Sequence, residues 1–146
     1  MARTDFRTPR LYVDQPLGPG AEIKLDAQRT NYLVNVLRLG AGARVLLFNG
    51  RDGEFAAHLA TTSRKRASLA VGARTRPQEA PPDVEYLFAP LKHARLDYMA
   101  QKAVEMGARA LRPVLTRHTQ VARVNLDRLR SNAIEACEQC GVIWIR

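Results

Sequence analysis

Long hydrophobic runs are missing from this 146-residue sequence; the longest aliphatic stretch is the VLLF at 45–48. A bilayer-spanning helix takes about 20 apolar residues, so no crossing is expected. The amino-terminal MARTDFRTPR is basic but leads into no apolar core, which argues against a secretory leader. Cysteine is nearly absent. Cys137 and Cys140 are the only two, which excludes a disulfide framework and suits a reducing, cytoplasmic setting. They form a C-x-x-C, but His58, His93 and His118 are scattered and complete no four-ligand zinc set, so no metal is expected. A thioredoxin-like pair opens a helix, whereas this one closes a helical pattern; both cysteines read as small core hydrophobes. Aromatics reach only 6%, which gives poor support for a stacking platform. No G-x-S-x-G and no P-loop are present, and no G-x-G-x-x-G follows a strand. Acid is also scarce: 14 Asp and Glu face 23 Lys and Arg, for a net charge of +9. That balance favours a polyanionic partner, most often nucleic acid. No stretch is amphipathic and lysine-rich enough to lie on a membrane.

What is present divides once. The segment Thr75–Asp83, in RTRPQEAPPD, holds prolines and charges without apolar periodicity and reads as a linker. The expected organisation is therefore a first domain at 1–74, the linker at 75–83 and a second domain at 84–146. In the first, RLYV, EIKL and ASLAVGAR are strand-like, and RVLLFNGRDGEFAAHLA reads as a hairpin around Asn49-Gly50 and Asp52-Gly53. One helix interrupts them, capped by Asp26, with Tyr32, Leu33, Val36 and Leu37 on its inner side. A small, closed or nearly closed β-barrel carrying one helix fits this pattern.

The second domain alternates. Val84–Ala89 is a strand, His93–Met106 a helix with Leu96, Met99, Ala100 and Ala103 as its stripe, ALRPVL a strand, and Leu126–Cys140 a helix capped by Asn125. The face Leu126, Leu129, Ala133, Ala136, Cys137, Cys140 would pack inward. This β-α-β-α order opens a parallel sheet, and two strands do not complete one. The overall class is α+β. The carboxyl edge of such a sheet is where ligands bind, and Lys92, Arg95 and Arg117 fall there, with His118 and Arg123 close by. Arg95, Tyr98, Lys102 and Glu105 share a helical face; Lys92 and Arg95 read equally as phosphate contacts or as part of a solvated face with a Lys102–Glu105 surface pair. In the first domain Arg38 follows the helix and Arg64, Lys65 and Arg66 fill a loop, as suits a groove that tracks an RNA backbone.

The run PLKHARLDYMAQKAVEMGARALRPVLTRHTQ, followed by RLRSNAIEACEQCG, resembles the ribosomal RNA small subunit methyltransferase E family of the SPOUT superfamily. Matching residues are Lys92, the stretch Gln101–Gly107, Arg117 and the Glu135–Gln139 run; RLYV and YLVNVLRLGAG carry the likeness into the first domain. The resemblance implies an N-terminal PUA-like RNA-binding barrel followed by the first β-α-β-α portion of a SPOUT domain. It implies an S-adenosylmethionine-dependent methyltransferase acting on uridine N3 of 16S ribosomal RNA in the small ribosomal subunit, and a homodimer. Arg10, Arg38, Lys92, Arg95, Lys102 and Arg117 are the implied RNA contacts, and no catalytic residue is assigned. Asn31 stands where the family commonly has His. Past Gly141 the family's Gly-Pro-Glu-Gly-Gly-like donor loop is not found, and the VIWIR tail departs from its usual continuation. The expectation is thus an N-terminal fragment without its donor site; the competing expectation is a stand-alone RNA-binding module.

Overall fold

The computed structural model describes residues 5–121 and 123–145 and divides into two compact units, the first ending at Gln78 and the second running Glu79–Ile145. In the first, β3 (Arg44–Phe48) and β4 (Glu54–Thr62) form the expected hairpin. β5 (Ala67–Arg76) adds antiparallel to β4, β2 (Glu22–Lys24) antiparallel to β5, and β1 (Arg10–Tyr12) parallel to β3. The order β1-β3-β4-β5-β2 is a mixed half-barrel with β1 and β2 as its edges. Register shifts along β4 and β5 bend it. Alternate positions point inward: Val45, Leu47, Phe55, Ala57, Leu59, Leu69 and Val71 form one core with Leu11, Val13, Ile23 and Leu33. Each large aliphatic buried there contributes about 1.5–3 kcal/mol. β5 runs two residues past Arg74, because Arg76 still pairs with Glu54 across the sheet. The close approach is tight at Gly53, where a Cβ would lie 2.4 Å from the Arg76 carbonyl and φ is +97°.

The β3–β4 turn is organised by a buried amide. Asn49 Oδ1 accepts from the Arg51 and Asp52 N–H groups at 3.0 and 2.9 Å. Its Nδ2 donates to Asp52 Oδ2 and to the Gln15 carbonyl.

Arg10 departs from expectation. Its side chain is only 2% exposed, and Nε donates to Glu54 Oε2 at 2.9 Å. One terminal nitrogen donates to the Asp5 carbonyl, and the guanidinium lies 5.5 Å from the Phe6 ring centre. Glu54 also accepts from Thr75 Oγ1 at 2.8 Å and faces Arg76 at 3.6 Å. A buried charge persists only when paired and hydrogen-bonded in this way.

The helix also differs. α1 (Ala27–Thr30) is capped by Asp26, which accepts from the Arg29 N–H at 2.7 Å. From Asn31 to Val36 the chain continues as a π-helical turn, closed by the Leu37 N–H on the Tyr32 carbonyl. The wider i→i+5 turn shifts the phase. Leu33 is fully buried, with Val34 and Leu37 packed against the same core, while Tyr32 and Val36 are 41% and 60% exposed. The inner side predicted from a 3.6-residue period is therefore wrong for those two residues.

In the second unit β6 (Glu85–Phe88) and β7 (Ala110–Pro113) are parallel neighbours. α2 (His93–Glu105) and α3 (Leu126–Cys140) pack on one face, where Phe88, Leu111, Leu96, Met99, Ala100 and Leu129 meet. α2 ends as its glycine predicts. Gly107 takes φ +94°, its N–H bonds the Val104 carbonyl and the Ala108 N–H bonds the Ala103 carbonyl, a Schellman closure. On α3, Leu129, Ala133, Ala136 and Cys137 are buried, but Leu126 is 63% exposed at the first helical position. Leu87, on the opposite face of the strand pair, is 60% exposed. Beside it Glu85 binds Arg112 at 2.5 Å and Arg109 at 3.0 Å, and these guanidiniums, Arg112 first, hold its carboxyl at about 2.

Three outcomes follow. Glu54→Ala, which leaves Arg10 buried and unpaired, should cost about 3–5 kcal/mol in urea unfolding, and the paired replacement Arg10→Met with Glu54→Leu should recover much of that loss. Burial pushes the Cys137 thiol up, so iodoacetamide should spare it in the folded chain and label it once the chain is unfolded. Glu85 titrates below its ordinary 4.5, so its stabilisation is present above that pH and fades as pH falls toward 2; Glu85→Gln should flatten the acid limb of the unfolding curve in that window.

Candidate nucleic-acid interface

Parallel pairing sends the chain out of β6 and β7 at the same edge. Phe88 is opposite Pro113, and the Val114 N–H continues the ladder to the Phe88 carbonyl at 2.8 Å. Two segments start there, 89–92 into α2 and 114–125 into α3. The first ends in Lys92, and Arg95 follows in the first turn of α2; both are exposed. Lys92 is the N-cap of α2 with an extended backbone, offers no side-chain cap, and no acidic residue occupies the first turn. This helix start, with no side-chain cap and no acidic residue in its first turn, lies beside two cations, an arrangement that suits a phosphate. His93 follows with φ +28°, one of two non-glycine residues with positive φ among the described residues. Strain of this kind concentrates at functional positions.

The second segment begins with a tight turn. The Thr116 N–H donates to Thr119 Oγ1 at 2.7 Å, and the Thr119 N–H returns to the Thr116 carbonyl at 3.1 Å. Arg117 and His118 form its exposed tip.

Charge is distributed unevenly over this unit. Arg109 and Arg112 are held by Glu85, with Asp83 3.1 Å from Arg109, and Arg128 is held by Asp97 at 2.5 Å. Arg128 first and then Asn132 keep the Asp97 carboxyl below its usual range. Lys92, Arg95 and Arg117 have no acidic partner among the described residues. The cations left free are thus those at the carboxyl edge. Lys102 is different. Its Nζ sits 2.7 Å from Glu105 and 5.6 Å from the Tyr98 ring centre, and the Glu105 hydrogen bond raises its pKa. The Lys102–Glu105 pair anticipated in the solvated-face reading is formed.

In the first unit, Arg38 is exposed just past the π-turn and is the other positive-φ residue, at +55°. Arg10 is removed from the surface set by its burial against Glu54. The side chains that sequence reasoning missed include Asp97 and Asn132. With Ala94, Tyr98, Gln101 and Glu135 they line a cavity of about 290 Å3 between α2 and α3. Asp97 and its partner Arg128 are 31 positions apart, so local spacing carries no signal for it. Among the described residues, no group of three or more His, Cys, Asp or Glu side chains is placed to hold a metal, and no helix is long and apolar enough to cross a membrane.

The chain resembles known RNA methyltransferases. A family model described as an RNA methyltransferase domain matches residues 78–146, and one described as an RNA methyltransferase PUA domain matches residues 25–71. Ribosomal RNA small subunit methyltransferase E of Rickettsia conorii is 29% identical over 131 residues, 89% of this chain and 54% of that protein. The protein of the same name from Buchnera aphidicola is 25% identical, over 92% of this chain and 56% of its own length. Among solved structures, ribosomal RNA small subunit methyltransferase E of Neisseria gonorrhoeae, bound to S-adenosyl methionine, superposes with a TM-score of 0.82 at 29% identity, covering 92% of this chain and 57% of that one. A putative methyltransferase of Legionella pneumophila with bound SAM gives 0.83 at 26% identity, covering 95% and 60%. This chain spans about half the length of the curated relatives it matches. With a half-barrel unit that matches an RNA methyltransferase PUA domain and a parallel α/β unit that matches an RNA methyltransferase domain, the chain is similar over most of its residues to the RNA methyltransferases that include ribosomal RNA small subunit methyltransferase E.

Proposed function

We propose that these residues form the RNA-holding part of a cytoplasmic enzyme that methylates N3 of a uridine in 16S ribosomal RNA, with S-adenosylmethionine as donor and a homodimer as the working form. The observation that carries this reading is the segregation of charge in the second unit. Among the described residues Lys92, Arg95 and Arg117 have no carboxylate partner at the edge where parallel sheets bind ligands, while the neighbouring Arg109, Arg112 and Arg128 are paired. Three unpaired cations beside an uncapped helix start suit an RNA backbone and specify no base. The N3 position lies on the Watson–Crick edge, so the target uridine must be unpaired or extruded to be reached.

The cavity described between α2 and α3 is not read as the methyl-donor site. The cavity between α2 and α3, about 290 Å3, is at the lower limit for a ligand of that size, and Asp97 in its wall is already engaged by Arg128 and Asn132. No residue of this chain is assigned to S-adenosylmethionine.

Incubating this chain with labelled S-adenosylmethionine and undermethylated small subunits should therefore give no incorporation; label above background refutes that part. The same chain should bind 16S ribosomal RNA in a salt-dependent way. Replacing Lys92, Arg95 and Arg117 together by alanine should lower the slope of log affinity against log salt by about 2–3, and an unchanged slope removes the edge from the interface.

A further inference from the structure

The π-turn of the first unit places on the surface what a regular helix would bury. Leu33 and Leu37 point inward, and the face turned to solvent carries Asn31, Tyr32, Asn35 and Val36. Asn35 Nδ2 donates to Asn31 Oδ1 at 2.9 Å and reaches the Arg64 carbonyl at 3.5 Å, so the β4–β5 turn lies beside this face. That turn is closed by Ser63 and Arg66: the Ser63 N–H donates to the Arg66 carbonyl at 2.8 Å, and the Arg66 N–H to Ser63 Oγ at 2.9 Å. Arg64 and Lys65 form its exposed tip. A lone exposed tyrosine is ordinary. Here it adjoins cations from stretches that hold no acid: neither 27–51 nor 55–78 contains an Asp or Glu. Arg38, Arg64, Lys65 and Arg66 have no acidic partner among the described residues.

We propose that this face binds single-stranded RNA, with one unstacked base on the Tyr32 ring and the flanking phosphates on Arg38, Arg64, Lys65 and Arg66. The proposal rests on the reading of the chain as an RNA binder and adds the strand form and the contacts. A tyrosine ring needs the face of a base, which a duplex hides within its stack and a single strand exposes. Val36, one helical turn away, gives the base an apolar wall. The Asn31–Asn35 amide pair supplies polar groups at its edge.

The test is binding of the full chain to a fluorescein-labelled uridine-rich 12-nucleotide RNA, alone or annealed to its complement. Vesicles of phosphatidylserine and phosphatidylcholine form a third arm. Tyr32→Ala should weaken single-strand binding by about 5-fold or more with the salt slope unchanged, whereas Tyr32→Phe should bind as the natural chain does. Replacing Arg64, Lys65 and Arg66 by alanine should lower the slope by about 2. All these positions are exposed, and thermal melting of each variant confirms the fold. The proposal is overturned if Tyr32→Ala binds the single strand normally, loses duplex affinity equally, or if the natural chain prefers the vesicles. A natural chain that binds neither RNA refutes the RNA reading itself; one that binds but ignores Tyr32→Ala refutes only the stacking surface.

Discussion

Glu54 is the carboxylate on which the first unit turns. One side chain touches a residue of β1, Arg10, and two of β5, Thr75 and Arg76, while belonging to β4. The sheet has only five strands, and two of them are three residues long. Short edge strands contribute few ladder hydrogen bonds, so their placement relies on side chains that reach across. Removing either partner of such a pair leaves a desolvated charge, which makes the arrangement specific even where it is not strongly stabilising. In a chain with so many cations, this is where an arginine is used as structure.

The remaining cations sort by whether a carboxylate meets them. In the second unit Glu85 and Asp97 take up Arg109, Arg112 and Arg128, and those contacts brace the strand pair and join α2 to α3. Exposed pairs of this kind add little to stability. Their effect on the field is larger: they cancel charge away from the carboxyl edge and leave it concentrated at Lys92, Arg95 and Arg117. Net charge alone would have spread the potential over the whole surface.

Much of this was legible in the sequence, and the exceptions have physical causes. The hairpin at Asn49–Gly53, the caps at Asp26 and Asn125 and the glycine stop at Gly107 depend on residues within a few positions of one another, and local chemistry fixes them. The parallel pairing of β6 and β7 followed from their alternation with helices. Arg10 was misread because its partner lies 44 positions away, so nothing nearby marked it as buried. Tyr32 and Val36 were assigned inward because a helical period was assumed through 31–36, and the π-turn breaks that period. Leu126 failed for a simpler reason: an apolar residue at the first turn of a helix can lie beyond the reach of the sheet.

The π-turn also makes chain length a variable of surface chemistry. An i→i+5 turn is an α-helix with one residue too many, and deleting any one of 31–36 would restore the ordinary pitch. Every later side chain in the segment would then rotate by about a hundred degrees. An outward ring could be lost without a single substitution. A gap of one position here would therefore alter what the molecule presents to a partner more than most replacements would.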